Sequence, residues 1–417
     1  MNFFRKFSFL LICVYIILLP LIPQEVVFKG VTVTDFILAL IIFLYVINLL
    51  VSKSGRGSFK EGIIDFFTDK LSIFIAVLLG IMLLSTLYAT DKGLALSESA
   101  RFITYIFLYF IIKYEFNNKK HINTLLKCYI FISTVLCCIG IVQYFTGFAL
   151  NKTFIRTYNA GVIRRITSTF SNPNAFGAYL ILIIFPVIML SIYEKNKNKK
   201  ILYILLSMLM FVNVVMTFSR NAILGLGLGL LVLTLIYSIK WIFALGGFAI
   251  LISFIPSVSQ RIKGTVDLHQ NELRIKLWKT ALYMIRDHPI VGVGNGNFVT
   301  RYNEYVSKYS ELKYYEYKSY PNHNSYLKLQ SELGILGIVS FLGIITMTLF
   351  RIKKLYSTTR DKFYIPFYTG VMASFIVFFF MNLSDNLFFV PKVTTYFWLI
   401  LATAEAIRYK SHKSHEQ

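Results

Sequence analysis

The sequence predicts an all-α, polytopic membrane bundle, and three observations carry that reading. Hydrophobic residues fill 56% of the 417 positions and charged residues only 15%, whereas soluble domains sit near half apolar and a quarter charged. Apolar stretches long enough to cross a bilayer core recur along the whole chain. Lysine and arginine fall in a pattern that sorts the intervening segments into two sides of a membrane.

Taken in order, the spans are expected at 7–22, 33–51, 71–89, 99–113, 122–145, 174–193, 201–218, 222–239, 241–256, 333–350, 364–382 and 393–409, about twelve in all. The first begins like a signal peptide, with Arg5 and Lys6 before an apolar run. It ends in Pro20 and Pro23 without a small-residue cleavage site, which reads as a retained anchor. The cysteines Cys13, Cys128, Cys137 and Cys138 all lie in apolar runs and read as small packing residues.

The net charge of +23 invites a nucleic-acid reading, but its distribution favours a membrane. With the N-terminus cytoplasmic, inside loops, tails and the span ends that adjoin them hold 23 Lys/Arg, among them Lys195, Lys197, Arg351 and Lys353. Short outside segments hold five: Lys29, Lys92, Arg101, Arg220 and Lys392. The other fifteen lie in two long outside loops, 146–173 and 257–332, whose length lets them translocate regardless of charge. The chain is thus expected to be one integral-membrane domain over 1–417, multi-pass in the cytoplasmic (inner) membrane. Both termini are cytoplasmic in this scheme, and nucleic acid is no partner.

The two outer loops hold the informative residues. The first carries Lys152, Arg156, Arg164 and Arg165 and no acid; the second holds eleven basic and seven acidic residues. Such a surface suits an anionic ligand, or is simply a solvated face. Between the spans ending at 218 and starting at 222, Arg220 in Thr217-Phe218-Ser219-Arg220 has no room to extend into water. It either snorkels to the headgroups or offers its planar fork to phosphate oxygens. The segment Arg165 through Asn174 runs into the sixth span with Ser171, Asn172 and Pro173 as helix-starting residues. Plain capping explains them, and so does an anion received at the helix N-terminus.

In the second loop, Leu273, Leu277, Ala281 and Met284 recur at helical spacing and Pro289 stops the run, which predicts an amphipathic helix over 270–287 carrying Arg274. That helix lies on the membrane or caps the bundle. The run Gly292-Val293-Gly294-Asn295-Gly296-Asn297-Phe298 lacks the strand that a dinucleotide motif needs and reads as a flexible turn. Eight tyrosines between 301 and 326 suit sugar surfaces or a membrane interface. His323, in Pro321-Asn322-His323-Asn324-Ser325 at the mouth of the tenth span, is either a structural histidine or a general base.

Taken together, these segments resemble the O-antigen ligase and Wzy-type O-antigen polymerase superfamily of bacterial envelope glycosyltransferases. The matching pieces are Arg165–Asn174, Thr217–Arg220, Arg274 with Trp278, Asp287-His288-Pro289 with Gly292-Val293-Gly294, and His323–Leu327 with Glu332-Leu333-Gly334. The resemblance implies a membrane-embedded, metal-independent, inverting glycosyltransferase without a cofactor. It moves a glycan from undecaprenyl diphosphate to a hydroxyl of a glycan or lipid acceptor, lipid A–core or a growing chain, on the outer face of the membrane. It also implies that Arg220 and Arg274 hold the diphosphate, that Arg165 belongs to the same basic set, and that His323 is the essential histidine, with Glu332 and Asp385 as weaker candidates for the base. Ligase and polymerase stay open. A flippase or transporter of lipid-linked glycan is the alternative from another class, but no internal repeat or midplane charge cluster supports it.

Overall fold

The computed structural model describes residues 3–22, 27–28, 31–158, 161–254, 268–314 and 321–416. Pro23, Lys29, the start of the large loop at 257–267, and Tyr315, Tyr317 and Tyr320 lie outside these residues. The helices are α1 Phe3–Leu21, α2 Val33–Val51, α3 Lys53–Thr68, α4 Lys70–Ser85, α5 Lys92–Tyr114, α6 Lys119–Thr146, α7 Pro173–Tyr193 and α8 Lys197–Met216. They continue with α9 Arg220–Ile236, α10 Trp241–Ser253, α11 Leu268–Asp287, α12 Phe298–Lys308, α13 Ser325–Thr358, α14 Tyr364–Met381 and α15 Pro391–Glu416.

Among the described residues, eight helices (α1, α2, α5, α6, α7, α8, α13 and α14) are long and apolar enough to cross a membrane, and nine if α3 and α4 form one broken span. The expectation of about twelve is therefore too high by that measure. The stretch at 71–89 ends as α4 at Ser85 and meets α3 at 83°. The stretches at 222–239 and 241–256 become α9 of 17 residues and α10 of 13. The last helix carries Lys392, Glu405 and Arg408 and does not pass. Helix α3 was not foreseen, because its apolar residues are too sparse to read as a span; it buries Gly55, Gly62 and Phe66.

The first outer loop holds a β-hairpin, Ile155–Tyr158 against Gly161–Arg164, antiparallel with Ile155 opposite Arg164. Hairpins were not part of the sequence reading. The large loop is mostly helical where described, and its last residues, from Ser325, already belong to α13.

Helix α7 forms the centre of the bundle. It is apolar all round, and 89% of its apolar window is buried, as expected of a helix with no solvent- or lipid-facing stripe. Helix α14 lies directly on it: a Cβ on Gly370 would sit 2.4 Å from Pro186 N and 2.5 Å from Phe185 O, so the two backbones touch. Large apolar residues remain exposed on the outer helices, such as Phe43 on α2, Leu205 on α8 and Leu336 on α13. That pattern fits lipid as the surrounding medium.

Buried charges fasten one end of the bundle. Arg351 on α13 pairs with Asp69 at the start of α4 (2.5 Å) and Glu405 on α15 (2.5 Å), while Lys113 on α5 pairs with Asp65 on α3 (2.8 Å). Each ion has an opposite partner, the condition under which burial of charge is tolerated. The residues that carry the resemblance lie at the opposite end.

Candidate active site

Three helix N-termini meet at that end. Asn172 caps α7 by accepting from Ala175 N, with Pro173 at the first helical position. Ser219 caps α9 through Ala222 N, and Asn324 caps α13 through Tyr326 N and Leu327 N. In each motif a residue shortly before the helix has left-handed backbone: Ser168 (φ 50°), Phe218 (φ 47°) and His323 (φ 52°). Non-glycine residues adopt this region at a cost, so surrounding bonds must hold it in place. Gln143 Oε1 accepts from Thr167 N (2.8 Å) and Ser168 N (2.9 Å), which explains the first; Thr217 Oγ1 accepts from Ser219 N (3.1 Å) beside the second.

The turn after α14, residues 381–386, gathers the three termini. Asn221 Nδ2 on α9 donates to Met381 O (2.9 Å). Ser325 N at the start of α13 donates to Asn382 O (2.9 Å), and Ser325 Oγ donates to Asn382 Oδ1 (2.7 Å). Asn174 Nδ2 on α7 donates to Asp385 Oδ2 (3.0 Å). His323 Nδ1 lies 3.2 Å from Asp385 Oδ1, which also accepts from Asn386 N (2.9 Å). A carboxylate can only accept, so the imidazole proton sits on Nδ1 and Nε2 is left as a proton acceptor.

Burial pushes the Asp385 carboxyl up. The hydrogen bond and charge of His323, the Asn386 N–H and the charge of Arg274 outweigh it, and the group is held below the usual aspartate range. The side chains of His323 and Asp385 are 28% and 14% exposed, so the pair is recessed but reachable.

The charge of Arg274, on α11, reaches Asp385, the partner of His323. Arg165 Nε donates to Thr217 O (3.3 Å), which joins the first motif to the second. Arg220 is the first residue of α9, half-buried, next to the Asn221 that binds Met381. The anion that meets Asn174 at the start of α7 is the protein's own Asp385.

Other motif residues turn out to build the backbone. The glycine run is not a flexible turn but a buried lock. Gly292, Gly294 and Gly296 have φ of 71°, 102° and 72°, and Val293 N and Gly294 N donate to Ser331 O and Glu332 O (both 2.9 Å). Helix α13 breaks at Gly334 (φ 65°, ψ −162°), where Ile335 N donates to Pro289 O (3.0 Å). Glu332 is committed to the same lock: it accepts from Gly296 N (2.9 Å), Phe298 N (3.2 Å) and Lys328 Nζ (2.5 Å). With three donors and almost no exposure it is poorly placed to act as a base. Asn295 Nδ2 and Asn297 Nδ2 tie the run to the start of α5 through Ala95 O (3.3 Å) and Asp91 O (3.1 Å).

Helix α11 packs within the large loop: Leu277, Ala281 and Met284 are fully buried against Phe298, Tyr302 and Tyr305. Those tyrosines are therefore packing residues. Sequence reasoning missed Asn382, which is fully buried and joins α13 to the 381–386 turn. Its one signal was a polar run, Asn382-Leu383-Ser384-Asp385-Asn386, between two apolar spans. Among the described residues, no three His, Cys, Asp or Glu side chains converge as a metal-binding group.

Fold and site together define a polytopic membrane protein with its polar chemistry gathered at one end of an apolar bundle. Residues 205–342 match the family model described as O-antigen ligase; no curated protein matches the chain. That stretch is similar to the O-antigen ligase family and includes Arg220, Arg274 and His323. The likeness supports activity of the ligase or polymerase type in general terms. The apolar helices fit a multi-pass membrane protein.

Proposed function

We propose that the protein transfers a glycan from undecaprenyl diphosphate to an acceptor hydroxyl on the outer face of the cytoplasmic membrane, as a ligase or as a polymerase. The observation that carries this reading is the His323–Asp385 pair, set among three capped helix N-termini with Arg274 acting on the same carboxylate. His323 Nε2 takes the proton of the acceptor hydroxyl as its oxygen attacks the anomeric carbon. The bond from that carbon to the diphosphate oxygen breaks, and undecaprenyl diphosphate leaves. Attack opposite the leaving group inverts the anomeric centre.

Charge grows on the diphosphate as the bond breaks. Arg220 and Arg274, with Arg165 behind them, offer guanidinium forks that match phosphate oxygens. The helix N-termini add partial positive charge at the same end. The arginines supply the charge stabilisation for which other phosphate-handling enzymes use a divalent ion, so the reaction runs without metal. The 23-to-5 division of basic residues between inner and short outer segments supports an extracytoplasmic site and cytoplasmic termini.

The test is direct. Purified protein in lipid nanodiscs is given labelled undecaprenyl-diphosphate-linked glycan and acceptor. A new glycosidic product with release of undecaprenyl diphosphate is expected, and His323→Ala should lower turnover roughly 10²–10⁴-fold, the contribution of a general base. Well-folded His323→Ala protein with normal turnover would remove the histidine from the mechanism.

A further inference from the structure

We propose that Asn174 is a positioning residue for this reaction, acting through Asp385 on His323; the inference rests on His323 being the base. The residue stands among helix-starting residues, and ordinary capping is the first explanation to exclude. Asn172 already caps α7, accepting from Ala175 N (2.9 Å), so the cap needs nothing from Asn174. The Asn174 amide instead crosses to another segment 211 positions away and donates to Asp385 Oδ2 (3.0 Å).

The bond leaves each carboxylate oxygen with its own task. Oδ2 is held by Asn174, while Oδ1 receives Asn386 N (2.9 Å) and faces His323 Nδ1 (3.2 Å). A carboxylate held only through Oδ1 can rotate about its Cβ–Cγ bond and lose its alignment with the imidazole; a second anchor stops that rotation. The anchor stands on rigid ground, since α7 is the buried central helix and Pro173 fixes the backbone just before Asn174. The start of α7 also places the positive end of its helix dipole near this carboxylate. Asn174 thus keeps Asp385 oriented, and thereby fixes the Nδ1–H tautomer of His323 and aims Nε2 at the acceptor.

Two variants test this against a merely structural role. Asn174→Ala should lower kcat on the order of 10-fold at every pH, with the donor KM little changed, because it misplaces a general base whose whole contribution is larger. Asn174→Asp sets a second carboxylate within hydrogen-bond reach of Asp385. Two carboxylates so placed share one proton, whose release is shifted above the ordinary carboxylate range. While the proton is held, the bridge survives; once it leaves, the two groups repel and the alignment is lost. The pH profile of kcat should therefore gain a limb that falls with rising pH, absent from the unsubstituted protein.

Thermal melting and His323→Ala are measured on the same preparations. If Asn174→Asp keeps the parent profile while His323→Ala is inactive, the Asn174 assignment is overturned and the base survives. If the variants lower only the melting temperature, with kcat per folded molecule and the profile unchanged, Asn174 is structural. Full turnover in His323→Ala overturns the reading on which the inference rests.

Discussion

Replacing Asp385 by asparagine keeps the shape of the side chain and removes its charge. In the unsubstituted protein the carboxylate stands 3.2 Å from His323 Nδ1. When Nε2 accepts a proton, the imidazolium and carboxylate attract by about 5 kcal/mol at an effective dielectric constant of ~20. Solvent reaches the partly exposed imidazole, and halving the figure for that screening leaves about 2.5 kcal/mol, or roughly 70-fold in rate. Asp385→Asn should therefore lower kcat by some tens of fold, with donor KM nearly constant, in a single-turnover assay with radiolabelled lipid-linked glycan. Retention of kcat within about threefold in well-folded protein would refute the charge-based role of Asp385.

The same residue makes a prediction about pH. Its carboxyl is held below the ordinary aspartate value, so it stabilises the fold at neutral pH. That contribution is lost as pH falls below about 4, through the lower value of the folded state. Asp385→Asn should show a shallower loss of melting temperature over that window.

Other outcomes follow from the same geometry. Arg220→Lys and Arg274→Lys should each lose most transfer activity while expression survives, because the charge stays but the two-pronged geometry goes; full activity in both would cancel the diphosphate assignment. Turnover should persist after thorough chelation, and loss on EDTA with rescue by magnesium would contradict the arginine mechanism. Gly334→Ala should cost about 3 kcal/mol or more, read as lost yield and melting temperature. Its Cβ would meet Ile290 O at 1.9 Å, at a φ and ψ that only glycine readily adopts. An impermeant thiol reagent should label Glu304→Cys in intact cells, whereas labelling only after lysis would reverse the proposed orientation.

Periodicity and composition alone made the chain a helical membrane bundle, because a long apolar helix satisfies its own backbone and needs no distant partner to be recognised. The same local logic found the α11 helix from the spacing of Leu273, Leu277, Ala281 and Met284, and the cap at Asn172. Motif order pointed to His323 and the three arginines. What it could not do was separate chemistry from architecture among the motif residues. In sequence, Glu332 reads as a weaker candidate for the base and the Gly292–Gly296 run as a flexible turn. Only the fold spends the Glu332 carboxylate on the Gly296 and Phe298 amides and inserts Gly292 against the break in α13.

Span limits also depended on neighbours: the 71–89 stretch ends at Ser85, whose hydroxyl receives Asn295 N from the large loop (3.1 Å). The partners of His323 were out of reach for the same reason. Asp385 lies 62 positions away and Asn174 lies 211 positions from Asp385, distances over which no local pattern acts. Side-chain type and spacing determine which helices form and where they can begin. Which polar group meets which is decided when α7, α9, α13 and α14 pack with their termini at one end, since buried hydrogen bonds need partners that only that packing supplies.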